Sequence, residues 1–162
     1  SLMLMMSFPN FWLKACANNE PLVVTHAQMT RFIIAMEEAV QFIMAAMLCM
    51  KGGEIFIPIL PMARMLDLAS SISDKLLVKN ELRPGGEKLA ESLLSEEEPG
   101  RTLHRTLMGF DAIMDALVVT PTHRTWSSEP YIGTPVDPLM TYRSDDGPFL
   151  SIEQLKALVM QL

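Results

Sequence analysis

Cysteine is scarce in this 162-residue sequence: there are two, Cys16 and Cys49, in no C-x-x-C pair and beside no histidine pair. That excludes a disulfide scaffold and a cysteine zinc knuckle, and both thiols read as plain core residues of a reducing compartment. Basic residues are outnumbered, 13 against 19 acidic ones, and the net charge of −6 repels a phosphate polymer, so no nucleic-acid partner is expected. Long apolar runs are missing too. The stretch from Phe32 to Met50 is interrupted by Glu37, Glu38 and Gln41, and reads as a buried helix, not a membrane span. Leu2 to Met6 lacks a basic flank before it and a small-residue cleavage site after it, so neither a secretory signal nor a membrane partner is expected, and the location expected is cytoplasmic. His26, His104 and His123 show no H-x-x-x-H or H-E-x-x-H spacing, and no G-x-S-x-G elbow surrounds Ser127, Ser128 or Ser151, so neither a metal site nor a hydrolase triad is expected.

What is present suits a globular chain. Hydrophobic residues make up 49% of the sequence, and at this length about 68–70% of the unfolded surface can be buried. Phe8, Phe11, Trp12 and Ala15 repeat at helical spacing and predict a helix over 8–18. Leu22-Val23-Val24-Thr25, following an Asn-Asn-Glu-Pro turn, predicts a strand. From Thr30 onward the period changes to that of a helix, with Val40, Ile43, Met44 and Met47 on one face and Lys51-Gly52-Gly53 as its stop. Glu54 to Ile57 predicts a strand, Met62 to Ile72 a helix entered through Pro61, and Leu76 to Val78 a further strand. Met44, Met47, Met62 and Met65 are expected in the core, and Trp12, Trp126 and Tyr142 as packing aromatics. Leu89, Leu93 and Leu94 give Glu87 to Ser95 a short apolar helical face, ended by the acidic break at 96–98. Leu117 to Thr120 predicts a strand, and the Ser151-x-x-Gln154 capping box with the Leu150/Leu155 staple predicts a terminal helix over 152–162.

Several strings stand in one order along the chain: Pro21-Leu22-Val23-Val24-Thr25, Met29-Thr30-Arg31-Phe32, Gly52-Gly53-Glu54-Ile55-Phe56-Ile57-Pro58, Asp67-Leu68-Ala69, Arg83-Pro84-Gly85-Gly86-Glu87-Lys88-Leu89, and a tail with Tyr142, Ser144, Asp145 and Leu150. Over residues 8–162 they resemble the C-terminal portion of the inverting UDP-N-acetylglucosamine 4,6-dehydratases of polysaccharide biosynthesis, lyases of the extended short-chain dehydrogenase/reductase type. The resemblance implies an α/β fold, the substrate-binding lobe of a Rossmann-type enzyme whose N-terminal nucleotide-binding half is absent. It divides the chain into a UDP-sugar-binding lobe over 1–98 and a C-terminal extension with the terminal helix over 99–162.

The same resemblance implies that Arg31 and Arg83 close on the pyrophosphate of a UDP-sugar, a task suited to guanidinium, which is always charged and can give two parallel hydrogen bonds to phosphate oxygens. It implies that Glu87 meets the ribose hydroxyls and that the backbone of Leu22, Val23, Val24 and Thr25 runs beside the uracil. The family's R-P-G-E-K run carries one extra glycine here, which can move Glu87 by up to about 3.5 Å. His26 replaces an acidic residue of the family, and Leu2 to Ser7 a segment with glycine and arginine. NADP is implied for a full-length member. Neither the glycine-rich strand–turn–helix nor the catalytic lysine has a match here, so this chain is expected to bind no cofactor and to carry no catalytic residue. The function expected is therefore nucleotide-sugar binding within a dehydratase, with the missing N-terminal half or a full-length homologue as partner and homo-oligomerisation open. The rival readings are a stand-alone non-catalytic module that binds a nucleotide sugar or a protein, and a decayed gene remnant.

Overall fold

The computed structural model describes residues 3–4, 10–109, 112–123 and 129–160. The chain is mixed α/β, with nine strands and four helices among these residues, and its contacts divide it into two compact units. One comprises Ser1–Met36, Leu60–Glu91 and Arg143–Leu162, the other Glu37–Ile59 and Ser92–Tyr142. The units interleave along the chain, and the acidic break at 96–98 falls inside the second.

In the first unit, β1 (Met3–Leu4), α1 (Asn10–Ala17), β2 (Leu22–Val24) and β3 (Thr30–Ile34) come in order. The helical period expected from Thr30 is overturned for its first five residues. Thr30–Ile34 is a strand because it finds partners on both edges: β1 runs parallel to it, and β5 (Met62–Arg64) antiparallel, Arg31 facing Ala63. Arg31 therefore projects from a strand, not from the start of a helix. The helix predicted from Met62 starts three residues later, as α3 (Met65–Ile72), because Met62–Arg64 is drawn into the sheet. β6 (Leu76–Val78) pairs in parallel with β2, Val23 beside Leu77, which requires the long crossover that the intervening chain supplies. Residues 87–91, expected to be helical, run irregularly with a bend at 89–90: the N–H of Thr30 donates to Leu89 O at 2.9 Å, and that of Ser144 to Glu91 O at 2.8 Å. Trp12, Leu22, Val24, Ile33, Leu68 and Leu155 form the core.

The terminal helix, α4 (Ile152–Val159), has the predicted capping box. The N–H of Gln154 donates to Ser151 Oγ at 3.2 Å and the N–H of Ser151 to Gln154 Oε1 at 2.8 Å. Its staple residue Leu155 is fully buried.

The second unit contains α2 (Met36–Cys49), β4 (Ile55–Pro58), β7 (Thr102–Met108), β8 (Ile113–Val119) and β9 (Thr134–Pro135), in an antiparallel sheet ordered β4-β8-β7-β9. Glu37 and Glu38 sit in the first turn of α2, where the helix dipole favours negative charge. Phe42 and Ala45 of α2 pack on Leu107, Ala116 and Val118. Two expectations fail in the methionines and cysteines: Met44 and Met47 are 39% and 66% exposed, whereas Met62 and Met65 are buried, and Cys16 is exposed. Trp12 and Tyr142 are buried as expected; Trp126, Ser127 and Ser128 lie outside the described residues.

Candidate functional site

The predicted site residues all fall in the first unit: Leu22–Val24 form β2, Thr25 follows its carboxyl end, Arg31 lies on β3, and Arg83 and Glu87 lie in the loop after β6. Ligands of open α/β sheets bind at the carboxyl ends of the strands. Beyond the strands the two chains stay joined: Lys79 N–H donates to Val24 O at 3.0 Å and Glu81 N–H to Thr25 O at 2.8 Å, and Val23 O accepts from Trp12 Nε1 at 2.9 Å. The side chains of Leu22, Val24 and Thr25 are buried, so this segment offers a ligand its backbone; each engaged carbonyl keeps a second lone pair.

The Arg83-to-Lys88 loop turns on two glycines with positive φ, Gly85 at 104° and Gly86 at 101°. Nothing lies within 4 Å of where their Cβ atoms would stand, so glycine serves the backbone conformation here, not a close approach. Glu87 Oε2 accepts from the N–H of Arg83 at 2.8 Å, closing the loop on itself. The Arg83 side chain is exposed.

Arg31 behaves differently. Its Nη1 donates to Thr30 O at 2.7 Å and Leu89 O at 3.2 Å, and its Nη2 to Lys88 O at 2.9 Å. Its Nε lies 3.7 Å from Glu91 Oε1, and the side chain is 11% exposed. The guanidinium thus fastens segment 88–91 to β3. Ser144 completes the fastening: fully buried, its Oγ accepts from Glu91 N–H at 2.9 Å, lies 2.9 Å from Thr30 Oγ1 and donates to Thr30 O at 3.1 Å.

Leu89 and Ala90 of this segment line a cleft of about 590 Å³ whose polar lining includes Gln28, Thr30, Arg64 and Asp67. That volume lies within the range of about 300–1,000 Å³ usual for small-molecule sites. The Arg64 guanidinium stands 4.6 Å over the ring of Phe149, an arrangement that orients a cation by the ring's negative face. Asp145 enters the cleft with its charge already matched, since Arg143 donates to it at 2.9 and 3.0 Å and holds its carboxyl below the usual range. Arg64 and Phe149 escaped the sequence reading because neither belongs to a patterned string; the fold brings them together across 85 positions.

The glycine pairs do not suit a dinucleotide pyrophosphate. At Gly52-Gly53 the N–H groups of Lys51 and Gly52 already bind the carboxylate of Glu54, at 2.7 and 2.6 Å, and at Gly85-Gly86 Glu87 fills the loop. A carboxylate of the protein's own is thus bound beside each pair, and no step of cofactor chemistry is assigned to them.

Residues 7–110 match the family described as polysaccharide biosynthesis protein. The chain belongs to this family. It corresponds to a C-terminal portion of these polysaccharide biosynthesis proteins, as its ordered strings predict. It is 31% identical over 153 residues to an uncharacterized membrane protein of Methanocaldococcus jannaschii, covering 88% of this chain and 41% of that one. It is 39% identical over 77 residues to the inverting UDP-N-acetylglucosamine 4,6-dehydratase of Campylobacter jejuni, covering 48% of this chain and 23% of the relative. Among solved structures, Pen from Bacillus thuringiensis shares the fold with a TM-score of 0.73 at 22% identity, over 94% of this chain and 43% of Pen. The chain thus spans less than half the length of these relatives. The α/β class predicted from sequence holds, as a partial Rossmann-like domain.

Proposed function

We propose that this chain is the nucleotide-sugar-binding portion of a 4,6-dehydratase acting on a UDP-N-acetylglucosamine-type substrate, with NADP-dependent hydride transfer and water elimination supplied by polypeptide that this chain does not contain. The observation that supports the reading is that Arg31 fastens the Lys88–Leu89 carbonyls to β3 beside a cleft of about 590 Å³ lined by Thr30 and Leu89, while the backbone from Thr25 joins Glu81, two residues before Arg83.

The residues take unequal parts. Arg83, exposed on a loop that turns on two glycines, supplies the cation for the pyrophosphate. Arg31 contributes by holding the Lys88–Glu91 wall, and on ligand entry its guanidinium can exchange neutral carbonyl partners for phosphate oxygens, which make stronger charge-assisted bonds. Glu87, while it closes the Arg83 turn, must open that turn to reach a ribose hydroxyl.

Titration of UDP-N-acetylglucosamine into the isotope-labelled chain, followed by amide shifts, tests the reading. Shifts are expected in residues 25–31 and 79–91, and Arg83→Ala should weaken binding at least about tenfold, since a charge-assisted hydrogen bond contributes about 1.5–3 kcal/mol. Absence of shifts at millimolar ligand would sink independent sugar-nucleotide recognition.

A further inference from the structure

One face of the first unit's sheet carries charges that the sugar-nucleotide reading leaves unused. Thr30 of β3 and Arg64 of β5 are cross-strand partners, so their side chains leave the sheet on the same face, and both line the cleft of about 590 Å³. Arg31, the next residue of β3, leaves on the opposite face. Arg64 is also the N-cap of α3, and Asp67, in the first turn of that helix, lines the same cleft. Opposite charges three residues apart on a helix are placed to pair. Here, among the described residues, neither side chain makes a hydrogen bond or an ion pair; the Arg64 guanidinium is held over the Phe149 ring instead. Phe149 is fixed in turn: it is bridged to Met62 of β5, and the N–H of Leu150 donates to Met62 O at 2.9 Å. A cation of set orientation and a free carboxylate thus share one cleft, with apolar surface from Leu66, Leu89 and Ala90.

We propose that this cleft is a second ligand site and that it takes a small zwitterion, an amino acid or dipeptide with apolar side chains, its carboxylate on Arg64 and its ammonium on Asp67. A guanidinium gives a carboxylate two parallel hydrogen bonds, and stacking on Phe149 holds its plane ready for them. An ionised carboxylate such as that of Asp67 only accepts, so its partner must donate.

Charge balance selects among ligands. Arg143 already answers Asp145, so Arg64 and Asp67 leave the lining neutral overall, and the ligand that satisfies both is neutral overall with its charges apart. A diphosphate would set its negative charges against Asp67 with one cation to hold them. A simple carboxylic acid would leave Asp67 unanswered, and a simple amine would leave Arg64 so. The apolar lining accounts for the side chains, and the volume admits a ligand as large as a dipeptide.

The test titrates L-leucyl-L-leucine into the isotope-labelled full chain and follows amide shifts, which are expected in residues 27–30, 64–67 and 89–90. Two derivatives each remove one charge: the N-acetyl form lacks the ammonium and the C-terminal amide lacks the carboxylate. Each should bind at least about tenfold more weakly, since charge-assisted hydrogen bonds are the strong ones. Two variants should cross with them. Arg64→Gln should bind the free dipeptide no better than the amide, and Asp67→Asn no better than the N-acetyl form, while both keep the parent's circular dichroism and melting midpoint. A merely structural role for either residue would not produce that crossed loss. Three outcomes overturn the proposal. One is the absence of shifts at about 10 mM dipeptide, above the millimolar range that such small ligands reach. Another is equal binding of both derivatives, which would make the cleft an apolar surface only. The third is displacement of the dipeptide by UDP-N-acetylglucosamine, which would assign the cleft to the sugar nucleotide. The dipeptide readout needs no sugar nucleotide, so failure of that reading leaves this one to stand or fall separately.

Discussion

In the first unit, helices α1, α3 and α4 and strands β2, β3 and β5 all contribute to one core, and Leu22, Leu68 and Leu155 are at most 1% exposed. In the second, one helix covers one face of an antiparallel sheet and leaves its own opposite face bare from Val40 to Met50. Both units are built from similarly apolar sequence, so composition alone does not say which residues are inside. What differs is the supply of partners: among the described residues the first unit has three α-helices to close its core, the second a single one. Apolar periodicity identifies a face that needs cover, and the cover itself lies elsewhere in sequence or outside it.

The sharpest way to break this comparison is a matched pair of truncations. Leu68→Ala, deep in the first core, should destabilise the chain by about 2–5 kcal/mol through lost burial and a residual cavity. Met47→Ala, on the outer face of α2, should stay within about 0.5 kcal/mol. Urea unfolding measures both. A Met47 cost approaching that of Leu68 would mean that the face is already covered in the isolated chain, and the contrast between the units would collapse.

Ser144→Ala probes the polar side of the first unit. The hydroxyl serves Thr30 and the N–H of Glu91 inside a fully buried site, and leaving such groups unsatisfied costs about 1–3 kcal/mol each. Because Ser144 and Arg31 hold the same segment, the variant should also speed amide exchange over 88–91 without affecting the hairpin β7–β8. Uniform acceleration across both units would show that Ser144 supports the whole chain and not this wall.

How far the sequence predicts these features depends on where each residue's partner lies. The capping box at Ser151 and Gln154 is local, so a four-residue string sufficed. Strands β2, β4 and β6 were readable because turn residues bracket β-branched runs. At Ile33-Ile34-Ala35-Met36 no turn residue separates β3 from α2, and the apolar run merged two elements whose boundary is decided by pairing with β1 and β5. Leu89, Leu93 and Leu94 have helical spacing, yet Thr30, Ser144 and Tyr142 engage the backbone of Leu89, Glu91 and Leu93 and the segment bends instead of coiling. Strand β7 alternates Leu, Arg and Leu with His and Thr on a weak apolar signal, and its existence follows from its seven-residue pairing with β8. At the candidate site, Arg31, Arg83 and Glu87 were nameable through the resemblance, but their present partners were not, since carbonyls of Lys88 and Leu89 leave no trace in residue identity.

The capping box offers a gentler sharpening. Ser151→Ala should cost about 1 kcal/mol, the usual price of an N-cap, and because α4 carries Leu155 into the first core, exchange should rise in α3 as well as in α4. In the second unit, exchange of the β7–β8 hairpin should not change.

The smallest expected effect is electrostatic and separates the units by mechanism. In the second unit the carboxylate of Glu98 accepts from Ser95 N–H at 2.7 Å and faces Arg101 at 3.7 Å, and the Ser95 bond above all holds its pKa below 4.5. In the first, Asp145 is lowered chiefly by the bidentate bond from Arg143 and is 42% exposed at its side chain. Both folded pKa values are depressed, so each contribution is complete above the unfolded pKa and disappears as pH falls through the folded one. Stability should therefore decline below about pH 4.5 on the Glu98 account and below about pH 3.8 on the Asp145 account, and salt distinguishes them. A surface ion pair is screened by salt, with a Debye length of about 3 Å at 1 M, so added salt should erase the Asp145 share while leaving most of the Glu98 share, which rests on a hydrogen bond. Melting midpoints of Glu98→Gln and Asp145→Asn between pH 3 and pH 6, at low and high salt, read this out. If salt flattens the acid limb of Asp145→Asn as much as that of Glu98→Gln, both carboxylates act as surface charges and the local difference between the units disappears.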